Sequence, residues 1–166
     1  MKKFFAVIAL FSLTLLTTSS FAQMAIDKGT KFVNLGIGLG GGYYYSAGIG
    51  FNAAADFGVA KNITVGGVAG YRSFGDGFGG YDLGVRGSYH FNELLSTPES
   101  IDLYAGLGLT YFAYTGAASS FYNSSFISVP FHLGGRYMFA EKTGVFAELG
   151  SSVSVLKLGI TFKLGK

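Results

Sequence analysis

The chain has 166 residues, room for one domain and hardly for two. Charged residues make up 13% against a usual share of about 25%, while aromatics reach 17% and glycines number 27, a composition too apolar for a disordered chain. The absence of cysteine excludes disulfides, thiolate metal sites and a lipid-anchored cysteine, and the formal charge of +3 comes without any basic cluster that would call for a nucleic-acid partner.

The first segment has the layout of a secretory signal. Met1-Lys2-Lys3 is a short basic start, Phe4 to Leu16 is apolar apart from Ser12 and Thr14, and Ser20-Phe21-Ala22 offers small residues where a signal peptidase reads. The apolar run is far shorter than the ~20 residues a membrane-spanning helix needs. Cleavage is therefore expected after Ala22, giving a signal peptide over 1–22 and one domain over 23–166. Losing Lys2 and Lys3 leaves ten basic against nine acidic residues, so the net charge falls to about +1. No long apolar run follows Ala22, and the apolar surface must be hidden by something other than helical spans.

Gly36-Ile37-Gly38-Leu39-Gly40-Gly41 matches G-x-G-x-x-G by letter. A dinucleotide site needs a helix next, to present its amides to the pyrophosphate, and the sequence continues strand-like as Tyr43-Tyr44-Tyr45. These glycines read instead as packing positions beside a tight turn. No cofactor is expected.

From here the dominant period is two. Tyr81, Leu83, Val85, Tyr89 and Phe91 alternate with Asp82, Gly84, Arg86, Ser88 and His90. Ile101, Leu103, Ala105, Leu107, Leu109 and Tyr111 alternate with Asp102, Tyr104, Gly106, Gly108 and Thr110. Ile127, Val129, Phe131, Leu133, Tyr137 and Phe139 alternate with Ser128, Pro130, His132, Gly134 and Arg136, and Leu156 to Leu164 repeats the pattern. Each such run is a strand with one greasy face. Turn signals give about eight strands, near 31–40, 43–59, 62–74, 80–92, 101–115, 123–139, 144–150 and 154–164. One set of connections, 60–62, 92–100 and 140–143, carries charge. The other, 40–42, 75–80, 116–124 and 150–152, is rich in Gly and Ser, with Asp76 its only charge. Antiparallel neighbours in chain order are the simplest assembly.

Which face lies inside decides the fold. The greasy face holds nearly all bulky side chains. The other holds Gly, Ser and Thr with Asp56, Arg72, Asp82, Arg86, Asp102, His132, Arg136, Glu148 and Lys157. An eight-stranded barrel has an interior just wide enough for side chains, and it cannot take five or six large residues from every strand. Glycines and a balanced set of charges do fit. The expectation is an all-β, closed, antiparallel up-and-down transmembrane barrel, with bulky residues facing lipid and ions paired within. Aromatics at both strand ends are read as two interfacial girdles. Tyr43, Tyr44, Tyr45, Tyr71, Phe74, Tyr81, Tyr111, Tyr114 and Phe126 make one, and Phe32, Phe57, Tyr89, Phe91, Tyr137, Phe139 and Phe162 the other.

Chemistry-bearing candidates are few. Ser128 and His132 share the polar face, but at strand geometry they lie about 13 Å apart and cannot pair as nucleophile and base. His132 is assigned to the internal polar network, and His90 to a turn or interface. Two isolated histidines make no zinc cluster, so no metal is expected.

The pattern resembles the small eight-stranded outer-membrane proteins of the OmpA-barrel and OmpX type and the short "porin-family" barrels. The most specific piece is the last strand. Lys157, Gly159, Phe162 and Leu164 are similar to the C-terminal signal read by the outer-membrane assembly machinery, although many members of the family end on Phe where this chain has Leu164-Gly165-Lys166. The resemblance implies location in the cell outer membrane, with lipid and that machinery as partners. The leading functional expectation is a non-enzymatic structural or surface-interaction barrel, with a rim around Phe121-Tyr122-Asn123 to meet an external ligand. A narrow channel for small solutes or ions is the alternative, and a membrane-embedded lipid-modifying enzyme a third reading.

Overall fold

The computed structural model describes residues 24–41, 48–75, 77–116 and 125–165. The expected signal segment 1–22, Gln23, the tyrosines 43–45, Asp76 and the rim 121–123 lie outside the described residues. Strand β1 spans Lys31–Gly41, β2 Ile49–Ala60, β3 Ile63–Gly75, β4 Phe78–His90 and β5 Ile101–Thr115. After them come β6 at Ser125–Ser128, β7 at Phe131–Met138, β8 at Thr143–Gly150 and β9 at Ser154–Gly165. A four-residue helix, α1 (Asn92–Leu95), interrupts the β4–β5 connection, which the strand pattern had not foretold.

Strands β6 and β7 are one strand in two pieces. Both pair with β5 in a single register, Thr110 opposite Ser128 and Leu107 opposite Phe131. The break falls at Pro130, which has no N–H to give the ladder, though its carbonyl still accepts from Gly108 N–H at 2.8 Å. Counted so, the barrel has eight strands, every pair antiparallel, closed by β4 on β5 and by β1 on β9.

The register defines the barrel's shape. Paired residues lead from Met138 through Gly144, Thr161, Asn34, Ala54, Val68, Gly84 and Thr110 to Ser128, on the strand where the path began but ten residues earlier. A stagger of ten over eight strands, at ordinary strand spacings, tilts the strands about 42° from the axis, within the usual range for closed barrels. Because the stagger is even, one set of side chains faces inward all the way round.

The inversion of faces is plain. Phe51 is 70% exposed, Leu107 60% and Leu133 55%, whereas Arg136 and Asp56 are each 1% exposed. Glycines make the inward packing possible. A Cβ on Gly159 would fall on the Leu35 carbonyl, and one on Gly106 on the Gly87 carbonyl and the His132 ring. Within the G-x-G-x-x-G run, a Cβ on Gly36 would strike the Phe146 ring and the Leu158 carbonyl. These glycines serve packing in the wall of the barrel.

Candidate functional site: the filled lumen

One continuous chain of ion pairs threads the lumen. Lys157 Nζ donates to Glu148 Oε1 at 2.9 Å, and Arg86 Nη1 to Glu148 Oε2 at 2.7 Å. Arg86 also grips Asp56 with both Nε and Nη2, at 2.7 and 2.6 Å, the fork-on-carboxylate geometry that only arginine supplies. Arg136 Nη2 donates to the same Asp56 at 2.6 Å, and its Nη1 to Asp102 at 2.6 Å. Asp102 accepts in turn from Asn92 at 3.0 Å and bonds His90 Nδ1 at 2.7 Å, while His90 Nε2 meets Thr64 Oγ1 at 3.0 Å. Three cations face three carboxylates. In a site closed to water only such full pairing makes burial of six charges tolerable.

Aromatic rings complete the packing. The Arg136 guanidinium lies over the rings of both Phe32 and Tyr104, at 4.5 and 4.3 Å from their centroids, and Tyr104 Oη donates to Glu148 at 3.2 Å. Asn34 Oδ1 accepts from Arg136 Nε at 3.2 Å and from Thr161 Oγ1 at 2.7 Å.

Both ends of this network are covered. At the end with the charged turns, residues 24–30 fold beneath the strands. There Met24, Ile26, Phe32 and Met138 form a buried apolar cluster. The Ile26 carbonyl accepts from Asn62 N–H at 2.8 Å and the Met24 carbonyl from Asn92 Nδ2 at 3.2 Å. Toward the other end the β8–β9 turn dips into the barrel. Val153, 2% exposed, gives its N–H to Asp82 at 3.3 Å and takes Arg72 Nη1 on its carbonyl at 3.1 Å. Above it Phe74, Phe78, Phe112, Tyr114 and Phe126 pack ring on ring, 4.8 to 6.5 Å between centroids. Between network and turn lies a cavity of about 30 Å³, lined in part by Asn34, Asn52, Asp82, His132 and Lys157. That is space for one or two waters.

Eight of the nine expected lumen residues are buried inside the wall, and the ninth, Lys157, reaches in to Glu148. Seven of the nine sit in or beside the main network: Asp56, Arg86, Asp102, Arg136, Glu148 and Lys157 are ion-paired, and His132 lies alongside, its ring 6.1 Å from that of Tyr104 and its Nε2 bonded to Ser88 at 2.8 Å. Arg72 and Asp82 form a second polar group around Val153. Three expectations need correction. His90 is not a turn residue but a buried link between Asp102 and Thr64, 1% exposed. Phe32 does not belong to an outer girdle; it lies inside against Arg136. Phe74, Tyr114 and Phe126 join the ring cluster above the lumen, with Arg72 under Phe74 at 5.6 Å. Tyr71, Tyr81, Tyr111, Phe57, Tyr89, Tyr137 and Phe139 do face outward. Strand parity contained each of these corrections, since Phe32, His90 and Tyr114 share their strand faces with Asn34, Arg86 and Asp102.

Two arrangements have hydrolase-like connectivity: Thr64–His90–Asp102 and Ser88–His132. Neither offers a reactive hydroxyl to a substrate. Thr64 and Asp102 are 1% and 0% exposed, and the cavity of about 30 Å³ beside His132 is too small for an acyl group. Asp102 is moreover already held by Arg136. Ser128 bonds Thr110 at 2.9 Å, not His132. Among the described residues no three His, Cys, Asp or Glu side chains converge as metal ligands would.

On the last strand, Lys157 points inward to Glu148, Gly159 allows β1 to pass close, and Leu164 is exposed on the outer face. These residues belong to the strand that closes the barrel on β1.

Solved structures share this architecture at low sequence identity. The outer-membrane protein OprG from Pseudomonas aeruginosa superposes with a TM-score of 0.59 at 12% identity, over 84% of this chain and 98% of that one. Neisserial surface protein A gives 0.58 at 11% identity, over 81% and 96%. A de novo designed transmembrane β-barrel gives 0.57 at 16%, over 83% and 98%. No family model matches the chain, and no curated protein matches it in sequence. The fold is that of the small transmembrane β-barrels.

Proposed function

We propose that this chain is an integral barrel of the Gram-negative outer membrane with a structural or surface-interaction role and no catalysis. The observation that carries the reading is the reversed polarity of the wall. Leu, Ile, Val and Phe cover the outside, a surface that only hydrocarbon satisfies over so large an area, while arginines and carboxylates occupy the axis. Neisserial surface protein A and OprG, which share the fold, support the same location.

A filled lumen favours a structural part over a conducting one. Six paired charges, an apolar stopper and an inward-folded turn occupy the axis, and eight strands leave little bore to begin with. The channel reading predicts steady single-channel steps from purified protein in planar bilayers; the structural reading predicts none. Location is tested by fractionating the native host and comparing boiled with unboiled samples on a gel. A folded barrel keeps a distinct mobility until heated, so recovery of a soluble monomer in detergent-free buffer would overturn the proposal.

Biogenesis follows from the same reading. Residues 1–22 act as the export signal, and N-terminal sequencing of the mature protein finds Gln23 first. The outer-membrane assembly machinery reads Lys157, Gly159, Phe162 and Leu164. Replacing Phe162 by Ala slows assembly while leaving the lumen network untouched.

A further inference from the structure

The β4–β5 connection departs from its neighbours. The β2–β3 turn at the same end presents Lys61 and Asn62, and the β7–β8 turn Glu141 and Lys142. Helix α1 carries Glu93 as well, and beside it presents Leu94 and Leu95, 73% and 57% exposed. This is not slack chain. Leu95 N–H reaches the Phe91 carbonyl at 2.9 Å, Thr97 N–H the Asn92 carbonyl at 3.0 Å, and Ser96 ends the turn in the left-handed region at φ 51°.

The pins on α1 fix where the leucines point. Asn92 is turned inward: its Nδ2 donates to Met24 and Asp102, and its Oδ1 accepts from Leu103 N–H at 2.8 Å. Glu93 reaches sideways to Lys61 and Asn62, at 2.8 and 3.0 Å. Helical side chains advance about 100° per residue, so Leu94 lies on the side opposite Asn92, away from the barrel axis, and Leu95 on the side opposite Glu93. The outer wall just before α1 carries Tyr89, whose ring meets Phe91 edge-on at 5.1 Å. The leucines prolong that apolar wall past the end of the strand.

We propose that Leu94 and Leu95 form a lipid foot, seated at the boundary between headgroups and acyl chains of the phospholipid leaflet at the charged-turn end, with the Lys61–Glu93 pair at headgroup level. Continuity with the outer wall singles out lipid as the occupant, and the proposal rests on the membrane reading above.

The chain contains no tryptophan, so single-tryptophan variants report without background. Three are made, L94W, L95W and L107W, the last at an exposed position midway along β5. Each is folded into phosphatidylcholine vesicles brominated near the headgroup or deep in the chain, with unheated gel mobility confirming the fold. Position 107 loses most emission to deep bromine. Positions 94 and 95 show blue-shifted emission, protection from aqueous iodide, and strongest loss to shallow bromine. Quenching at 107, with iodide-accessible and bromine-insensitive emission at 94 and 95, overturns the foot and leaves the membrane reading standing. Insensitivity at all three overturns both.

Discussion

Replacing Arg136 by leucine removes the central cation of the lumen. Two hydrogen bonds to carboxylates are lost, at 2.6 Å each, worth roughly 1.5–3 kcal/mol apiece, together with the stacking over Phe32 and Tyr104. Leucine returns part of this through its own apolar burial, about 2 kcal/mol. Asp56 keeps its two bonds from Arg86, and Asp102 keeps His90 and Asn92, but the lumen is left with one uncompensated negative charge. Stranding a buried charge costs about 3–5 kcal/mol, or some three decades in the folding equilibrium. Urea titration in lipid vesicles, scored by gel mobility without heating, measures that loss. A second substitution tests the cause. Asp102→Asn destabilises the parent protein because Arg136 loses an anion, yet in the Arg136→Leu background it restores neutrality and recovers stability. An R136L cost under about 1 kcal/mol, or an R136L/D102N protein no more stable than R136L, would refute the argument from buried charge.

Three other outcomes follow from named contacts. Gly134→Val drives a branched side chain into the Tyr104 ring and costs roughly 1–3 kcal/mol by overpacking in the same titration. Ile26→Ala, at a position 1% exposed, loosens the stopper under the barrel and costs roughly 2–4 kcal/mol, with faster amide exchange at Asn62, whose N–H bonds the Ile26 carbonyl. In the turns, hydrogen bonds from Lys61 and then Asn62 hold the Glu93 carboxyl below the usual range, while Glu93 raises Lys61. Glu93's small contribution is present above the ordinary carboxylate range and is lost as pH falls through its depressed value; that of Lys61 is lost only as pH rises through its elevated one. NMR titration of Glu93 in a Lys61→Met protein moves its midpoint upward.

The alternation of bulky and small residues made the barrel and its reversed polarity legible. It also put nine charged or titratable groups on the inner face. Pairings were not legible, because which residues meet across the lumen depends on a stagger of ten that no single strand encodes. Arg136 finds Asp56 and Asn34 only after the sheet has closed on itself. Phe32 and His90 follow strand parity to the inner face, because an aromatic ring serves as well beside a guanidinium as at a membrane interface and a histidine at a strand end can still bridge lumen groups. The inward course of Ser151 to Val153 had no signal, since it is set by Asp82 and Arg72 on distant strands.

The seam between β1 and β9 sets a rule for the order of events in biogenesis. Thr161 and Asn34 bond across it although 127 positions of chain separate them. Until β9 has been delivered, β1 has a second edge with nothing to zip onto, and the growing sheet remains an open ribbon. Ribbons with bare edges recruit other ribbons, and so distant a closure is slow to find. The cylinder therefore cannot be complete before its last strand has reached its first.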